Sequence, residues 1–145
     1  MARVSTYLNL PRTTEEAFRF YQSVFQTEFL GPIARFRDMP VAPGQPPLAE
    51  PDADLVLHVE LPILGGHVLM GTDVAESMGF TLVPGNNVYI NLEPDSRPET
   101  DRLFAALADG GDIEMPLQEM FWGGYFGSLT DRFGIRWMFN CSSKT

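Results

Sequence analysis

The sequence has few of the residues that mark several common classes of protein. Its one cysteine, Cys141, excludes an internal disulfide and is typical of a reducing compartment, so that a cytoplasmic location is expected. Lys and Arg number 10 against 19 Asp and Glu, and the net charge of −9 argues against binding to nucleic acid or to an anionic membrane. No apolar run approaches the roughly 20 residues of a membrane span. The N-terminus leads directly into a strand-like pattern, so no signal peptide is expected.

What the sequence does contain is an order of elements that occurs twice. Apolar residues alternate along the predicted strands and recur at helical spacing after Thr13 and Ser96, which have capping-box spacing to Glu16 and Glu99. The predicted strands are 4–10, 28–37, 54–62, 67–72, 87–92, 113–119, 124–130 and 135–141. The predicted apolar helical faces are Ala17, Phe18, Tyr21, Val24 and Phe25, and then Thr100, Leu103, Phe104 and Leu107. Each half is therefore predicted to run strand–helix–strand–strand–strand.

The two halves also share a short stretch of sequence. Tyr7-Leu8-Asn9-Leu10 is echoed by Tyr89-Ile90-Asn91-Leu92, and together with the repeated order of elements this indicates an internal duplication. We predict one α+β domain over residues 1–145, with module one over about 3–73 and module two over about 86–141. Each sheet is expected to have one face under its helix and one open face, and two such sheets would curve around a cleft.

Two segments that connect the predicted elements have compositions that predict their structure. The segment 38–53 holds five prolines and Gly44, which exclude a regular helix or a central strand, and it is either a surface loop or a lid over the cleft. Asp131-Arg132-Phe133-Gly134 has the residues of a tight turn and is predicted to join the last two strands.

Several motifs together resemble a known family. They are Glu15-Glu16-Ala17 to Phe20-Tyr21, His58-Val59-Glu60-Leu61, Leu69-Met70-Gly71-Thr72-Asp73, Gln118 to Gly127, and Thr130 to Gly134 with Trp137. The sequence resembles the vicinal-oxygen-chelate superfamily of glyoxalases, bleomycin-resistance proteins and extradiol dioxygenases, and within it the PhnB-like branch. The resemblance implies two tandem βαβββ modules that form a cupped eight-stranded mixed sheet with helices on the outer face, usually in a homodimer.

The resemblance also implies where metal ligands would lie in the metal-using members. The matching positions fall near Ser5, near Met70 or Gly71, near Asn87 and near Met138, and none of these residues is His, Glu or Asp. We therefore expect no metal and no cofactor, since a divalent ion needs three or four converging nitrogen or oxygen ligands. Members of this branch are often labelled methyltransferases, but the sequence shows no glycine-rich strand–turn–helix for a methyl-donor nucleotide.

Strand alternation predicts which side chains share the open faces. The predicted ligand-binding residues are Tyr7, His58, Asn87, Tyr89, Trp122, Arg136 and Met138. Glu60 is the expected internal partner of Arg136, because a cation on an inner face needs a carboxylate or an anionic ligand. His58 and Glu60 form either a simple hydrogen-bonded pair or an acid–base pair. The aromatic cluster around Trp122 serves either packing or ligand contact.

Three functions remain open on this basis. The leading one is a metal-free homodimeric binder of a small organic molecule. The second is a lyase, isomerase or dioxygenase of the same superfamily with a rearranged site that uses His58 and Glu60. The third is a structural or regulatory dimer without a ligand. The sequence leaves open whether the protein is an enzyme.

Overall fold

A computed structural model describes residues 1–40, 43–44 and 50–145. The chain divides into two compact units, Met1–Leu82 and Val83–Thr145. Each unit contains a four-stranded mixed sheet and one long helix, so the predicted α+β class, the eight strands and the duplicated order of elements are confirmed.

The first unit places its first strand beside its last. Its elements are β1 (Thr6–Leu10), α1 (Thr14–Phe25), β2 (Ala34–Arg35), α2 (Glu50–Ala53), β3 (Val56–Pro62) and β4 (Val68–Asp73). The sheet order is β1-β4-β3-β2, in which β1 is parallel to β4 and the other neighbours are antiparallel. The chain therefore crosses over through α1, which leaves one face of the sheet under that helix.

The N-terminus of helix α1 is capped by a residue that is distant from it in the sequence. The Thr13 side chain forms no capping hydrogen bond, so the capping box predicted for Thr13 and Glu16 is wrong. The buried Asp73 carboxylate, at the end of β4, accepts the backbone N–H of Thr14 at 2.9 Å and that of Val56 at 2.8 Å. A carboxylate from a distant strand thus caps the helix and also joins it to β3.

The core of the first unit lies between α1 and the sheet. The predicted helical face is buried, with Ala17, Phe18 and Tyr21 fully so. Gly71 on β4 allows this close approach, because a Cβ there would lie 2.5 Å from Phe18 Cε1. Each fully buried aromatic or aliphatic side chain contributes about 1.5–3 kcal/mol.

The second unit repeats the arrangement. Its elements are β5 (Ile90–Leu92), α3 (Arg97–Ala108), β6 (Asp112–Glu119), β7 (Tyr125–Thr130) and β8 (Arg136–Cys141), with sheet order β5-β8-β7-β6. Here the predicted cap is confirmed, since the Ser96 hydroxyl accepts the Glu99 N–H at 3.3 Å. The helical face at Leu103, Phe104 and Leu107 packs on β8, where Phe104 meets Phe139 edge to face at 5.4 Å. Cys141 is also buried.

The turn predicted at Asp131 to Gly134 is confirmed. The Gly134 N–H donates to the Asp131 carbonyl at 3.0 Å, and Gly134 has the positive φ of 86° that favours glycine. The buried Asp131 carboxylate accepts the N–H groups of Phe133 and Ile135 and the Trp137 indole N–H. One side chain therefore fixes both the hairpin turn and the core tryptophan.

Three predicted segments differ from the structure by more than two residues or in type. Strand β2 has two residues rather than the ten of 28–37, because Gly31 and Pro32 interrupt the extended chain and a proline donates no ladder hydrogen bond. Strand β5 begins at Ile90, three residues later than predicted. The predicted proline-rich loop lies partly outside the described residues, and its end forms the short helix α2 instead of loop. No described helix is long and apolar enough to cross a membrane.

Candidate functional site

In each unit the sheet face opposite the long helix, here called the open face, carries partly exposed polar and aromatic side chains. Along β1, Leu8 and Leu10 are buried while Tyr7 and Asn9 are exposed. Along β8, Trp137, Phe139 and Cys141 are buried while Arg136, Met138 and Asn140 are half-buried. The alternation predicted for these two strands is therefore what the structure shows.

The open face of the first unit holds a chain of hydrogen bonds, here called the first-unit network. His58 and Glu60 are two residues apart on β3, and His58 Nε2 lies 2.9 Å from Glu60 Oε2. The other ring nitrogen, Nδ1, lies 3.1 Å from the Tyr7 hydroxyl on β1. Arg3 approaches the outer side of Glu60 at 3.4 Å. The network thus consists of Arg3, Glu60, His58 and Tyr7 in that order.

The electrostatics of this network fix where its protons lie. The hydrogen bond from His58 lowers the pKa of the Glu60 carboxyl, with a smaller contribution from Arg3, so Glu60 is an ionised acceptor at neutral pH. Burial, and then the nearby Glu60 charge, raise the pKa of the Tyr7 phenol, which therefore keeps its proton. In a neutral imidazole, a proton on Nε2 that donates to Glu60 leaves Nδ1 to accept from Tyr7.

The open face of the second unit is organised around a carboxylate that sequence reasoning missed, Glu114 on β6. Its Oε1 accepts the Tyr89 hydroxyl at 2.9 Å, and its Oε2 accepts the Thr130 hydroxyl at 3.2 Å and the Arg136 guanidinium. The Arg136 guanidinium carbon lies 6.0 Å from the centre of the Tyr89 ring. We call Tyr89, Glu114, Thr130 and Arg136 the second-unit network.

The predicted partner of Arg136 was wrong. Its carboxylate partner is Glu114 in its own unit, while Glu60 is bonded to His58 and Arg3. Because Glu114 compensates its charge, Arg136 needs no anionic ligand. The Arg136 Nε atom is buried and forms no hydrogen bond within the described part of the chain. Because solvent does not reach this atom, a ligand on the open face would not contact it.

Trp122 lies in the turn between β6 and β7, beside an almost fully exposed Phe121. The two rings meet edge to face at 5.0 Å, and Trp122 meets Phe126 at 6.0 Å. The turn is closed by hydrogen bonds between Met120 and Gly124, at 2.8 Å, and between Gly123 and Met120, at 2.9 Å. The cluster is thus held in place although Phe121 is 96% and Trp122 is 53% exposed.

The residues at the family's metal positions do not fit a divalent metal. In the first unit, the Ser5 hydroxyl donates to the Met70 sulfur at 3.8 Å, and Gly71 has no side chain. In the second unit, Met138 offers a thioether and Asn87 is an exposed amide ahead of β5. Both nitrogens of His58 already have partners. A hydroxyl, a thioether and an amide do not supply the three or four converging His, Cys or carboxylate ligands of a divalent ion, and no group of three or more His, Cys, Asp or Glu among the described residues could hold one.

The predicted ligand-binding residues fall into separate groups in the structure. Tyr7 and His58 are in direct contact in the first unit, and Tyr89 and Arg136 share Glu114 in the second. Met138 lies on the open face of β8, whereas Asn87 precedes the strand that was expected to contain it. Their joint lining of one cavity stays a prediction.

The fold is shared with proteins of known class. Solved structures of glyoxalase/bleomycin resistance protein/dioxygenase family proteins, at 15% and 18% identity, share the fold with TM-scores of 0.65 and 0.61. What this chain has in common with them is the fold, two four-stranded mixed sheets, each with one crossover helix.

Closer relatives define the family within that class. A family profile described as 3-demethylubiquinone-9 3-methyltransferase matches residues 2–139, and the chain belongs to this PhnB-like family. Protein YjdN of Escherichia coli K12 is 32% identical, over 94% of this chain and 93% of that protein. Protein PA1353 from Pseudomonas aeruginosa is 33% identical with a TM-score of 0.81, over 97% of this chain and 98% of that one. The PhnB protein from Bacillus cereus is 30% identical with a TM-score of 0.69, over 97% and 99%.

Proposed function

We propose that this protein is a metal-free homodimer that binds a small organic molecule on its open sheet faces. The observation that carries the proposal is that both open faces hold half-buried polar groups beside a tyrosine ring, each fixed by hydrogen bonds within its own unit. Polar groups that are fixed in advance, on a partly apolar surface, are what an organic ligand needs for orientation. The proposal keeps the cytoplasmic location expected from the single cysteine.

The chemistry named in the family description is not the one we propose. A nucleotide-like methyl donor is commonly held where a glycine-rich turn joins a strand to a helix, so that its polar groups approach the backbone. The two turns between strand and long helix are Pro11-Arg12-Thr13 and Glu93-Pro94-Asp95-Ser96, and neither contains glycine. Binding without methyl transfer therefore suits these residues better.

A combined metal and ligand measurement tests the binding proposal. Protein purified without an affinity tag is analysed for zinc, nickel, iron and manganese, and is then screened by NMR against fragments that include amines, alcohols, carboxylates and aprotic carbonyl compounds. We expect no stoichiometric metal and a set of fragments that shift amides of β1, β3 or β8. About one metal per chain, lost in His58→Ala, or no binding by any fragment class would overturn the proposal.

The homodimer has its own support and its own test. Phe121 and Trp122 form an exposed aromatic pair, and contiguous exposed aromatics of this kind commonly mark contacts between proteins. We expect light scattering to give twice the chain mass at micromolar concentration, and Phe121→Ser with Trp122→Ser to give the single mass. A monomeric wild-type protein would contradict this part of the proposal.

One observation favours an enzyme as the second candidate. The His58 imidazole lies within hydrogen-bonding distance of both the ionised Glu60 carboxylate and the Tyr7 phenol. A carboxylate, an imidazole and a phenol connected in this way can transfer a proton. An acid–base isomerase or lyase would use it. A bound fragment that exchanges carbon-bound hydrogen with deuterated water in wild type, but not in Tyr7→Phe or His58→Leu, would favour this candidate over simple binding.

A further inference from the structure

We propose that the Tyr7 phenol oxygen binds a hydrogen-bond donor of the ligand, a hydroxyl or amine group, because the phenol's own proton is held by His58. The inference rests on the proposed binding of a small molecule and names the chemical class of that molecule. It also replaces the anionic ligand that an unpaired Arg136 would have required.

The first step concerns the proton on His58. Glu60 is held ionised, and an ionised carboxylate only accepts hydrogen bonds. The 2.9 Å contact between His58 Nε2 and Glu60 Oε2 therefore needs the ring proton on Nε2. A neutral imidazole carries one ring proton, so Nδ1 presents a lone pair.

The second step concerns the proton on Tyr7. The Tyr7 hydroxyl lies 3.1 Å from His58 Nδ1, and with the ring proton on Nε2 it donates its own proton to Nδ1. The phenol oxygen keeps lone pairs on its remaining side, and 49% of the Tyr7 surface is exposed. A ligand that approaches this oxygen meets an acceptor without a free proton, so the ligand must supply the donor.

A neighbouring hydroxyl, that of Ser5 directly before β1, has the same polarity. It donates its proton to the Met70 sulfur at 3.8 Å. The charged groups nearby, Arg3 and Glu60, compensate each other at 3.4 Å. Tyr7 and Ser5 therefore offer oxygen acceptors, next to the exposed Asn9 amide, which can both donate and accept, and the first-unit network has no unpaired charge.

The second unit reaches the same result with other residues. Tyr89, the echo of Tyr7, donates its hydroxyl proton to Glu114 at 2.9 Å, and a carboxylate returns no proton. Its phenol oxygen is again left as an acceptor. The net charge of −9 adds a long-range preference for amines over organic acids.

The test compares four probes that share a phenyl group and differ in polarity: phenethylamine, phenethyl alcohol, hydrocinnamate and benzyl methyl ketone. Binding to the full wild-type chain is followed by amide chemical shifts. We expect the amine and the alcohol to shift amides around Tyr7 on β1, and the acid and the ketone to leave them unchanged. Tyr7→Phe should weaken the donor probes about three- to tenfold, the loss expected for one hydrogen bond.

Two further variants separate recognition from folding. Tyr125→Phe is the control, because its phenol also donates a hydrogen bond but does so to the Asp101 carboxylate on helix α3 of the second unit. This variant should leave all four affinities unchanged. His58→Leu removes the acceptor of the Tyr7 proton, so the phenol becomes free to donate, and the ketone should now bind as well as the alcohol.

The outcomes distinguish this inference from the proposed function. Tyr7-dependent binding of the acid or the ketone, but not of the amine or alcohol, would overturn the inference and leave the binding function standing. Equal binding of all four probes at Tyr7 would do the same. If neither these probes nor any fragment of the wider screen binds, the proposed function fails and the inference fails with it.

Discussion

The two units keep a tyrosine at the same point of the duplicated sequence, Tyr7 within β1 and Tyr89 directly before β5, and give its hydroxyl different partners. In the first unit Tyr7 donates to an imidazole, which in turn donates to Glu60, and both partners come from one strand, β3. In the second unit Tyr89 donates directly to Glu114, whose charge is balanced by the arginine on β8. The first network passes through an imidazole, which can both donate and accept a hydrogen bond, whereas the second contains an ion pair.

This difference shows how a duplicated fold can separate two tasks. In both units the tyrosine hydroxyl proton is engaged within the protein, so the phenol oxygen is left to accept a hydrogen bond from a ligand. The two open faces therefore offer a ligand the same kind of contact. The first unit has the His58 imidazole behind its tyrosine, and the second has the Arg136 guanidinium, paired with Glu114 and 6.0 Å from the Tyr89 ring. Proton chemistry is therefore expected in the first unit and rigid positioning in the second.

The largest expected effect on stability comes from Asp73, whose buried carboxylate joins α1 to β3 in the first unit. Asp73→Ala leaves the N–H groups of Thr14 and Val56 buried without an acceptor, and we expect the free energy of unfolding to fall by about 3 kcal/mol. Urea unfolding followed by circular dichroism measures it. Asp95→Ala, at an exposed position, is the control, and equal losses for the two variants would contradict the anchoring role.

The next prediction compares how much each network contributes to the free energy of unfolding. Glu114→Ala removes the acceptor of three donors and leaves Arg136, 25% exposed, without its ion pair, so a loss of about 1–2 kcal/mol is expected. Glu60→Ala should cost less, because Arg3 and His58 can turn to solvent. Unfolding curves of the two variants decide the order. A larger loss for Glu60→Ala would reverse the assignment of the fixed network to the second unit.

The smallest expected effect on stability depends on pH. The folded-state pKa of Glu60 is lowered from its ordinary value of 4.5, chiefly by the His58 hydrogen bond, so the ionised form stabilises the folded chain above that value. This contribution is lost as the pH falls through the folded-state pKa. The stability advantage of wild type over Glu60→Gln should therefore shrink below pH 4.5.

Unfolding titrations at several pH values measure this advantage. The matched control is Glu28→Gln, at an exposed position. An advantage over Glu60→Gln that grows on acidification would show that Glu60 is not held by the hydrogen bond.

Short-range signals were enough for much of the fold. The helical faces, the Ser96 cap and the Asp131 turn follow from residues within a few positions of one another, and each is present in the structure. The cap of α1 could not be found in this way, because Asp73 lies 59 residues from Thr14 along the chain. Its position depends on the parallel pairing of β1 with β4, which local spacing does not encode.

The candidate site likewise has one part that local sequence predicts and one part that depends on distant strands. The pairing of His58 with Glu60 follows from their spacing on one strand, and the open-face position of Tyr7 and Arg136 follows from alternation. The partner of Arg136 depends on β6, whose register against β7 shifts between Ile113 and Met115 and again before Gln118. An irregular edge strand breaks the alternation on which a face assignment rests, so Glu114 was missed.

The central claim is that His58 carries its proton on Nε2 and accepts from Tyr7 on Nδ1. A long-range proton–nitrogen NMR spectrum of the imidazole rings reports the tautomer, and only two histidines contribute, the other being His67, whose Nε2 lies 2.9 Å from Thr6 Oγ1. At mildly alkaline pH we predict an Nε2-protonated His58 in wild type, and loss of that tautomer preference in Glu60→Gln. A wild-type His58 protonated on Nδ1 would contradict the account, since Tyr7 would then hold a free proton and face its ligand as a donor.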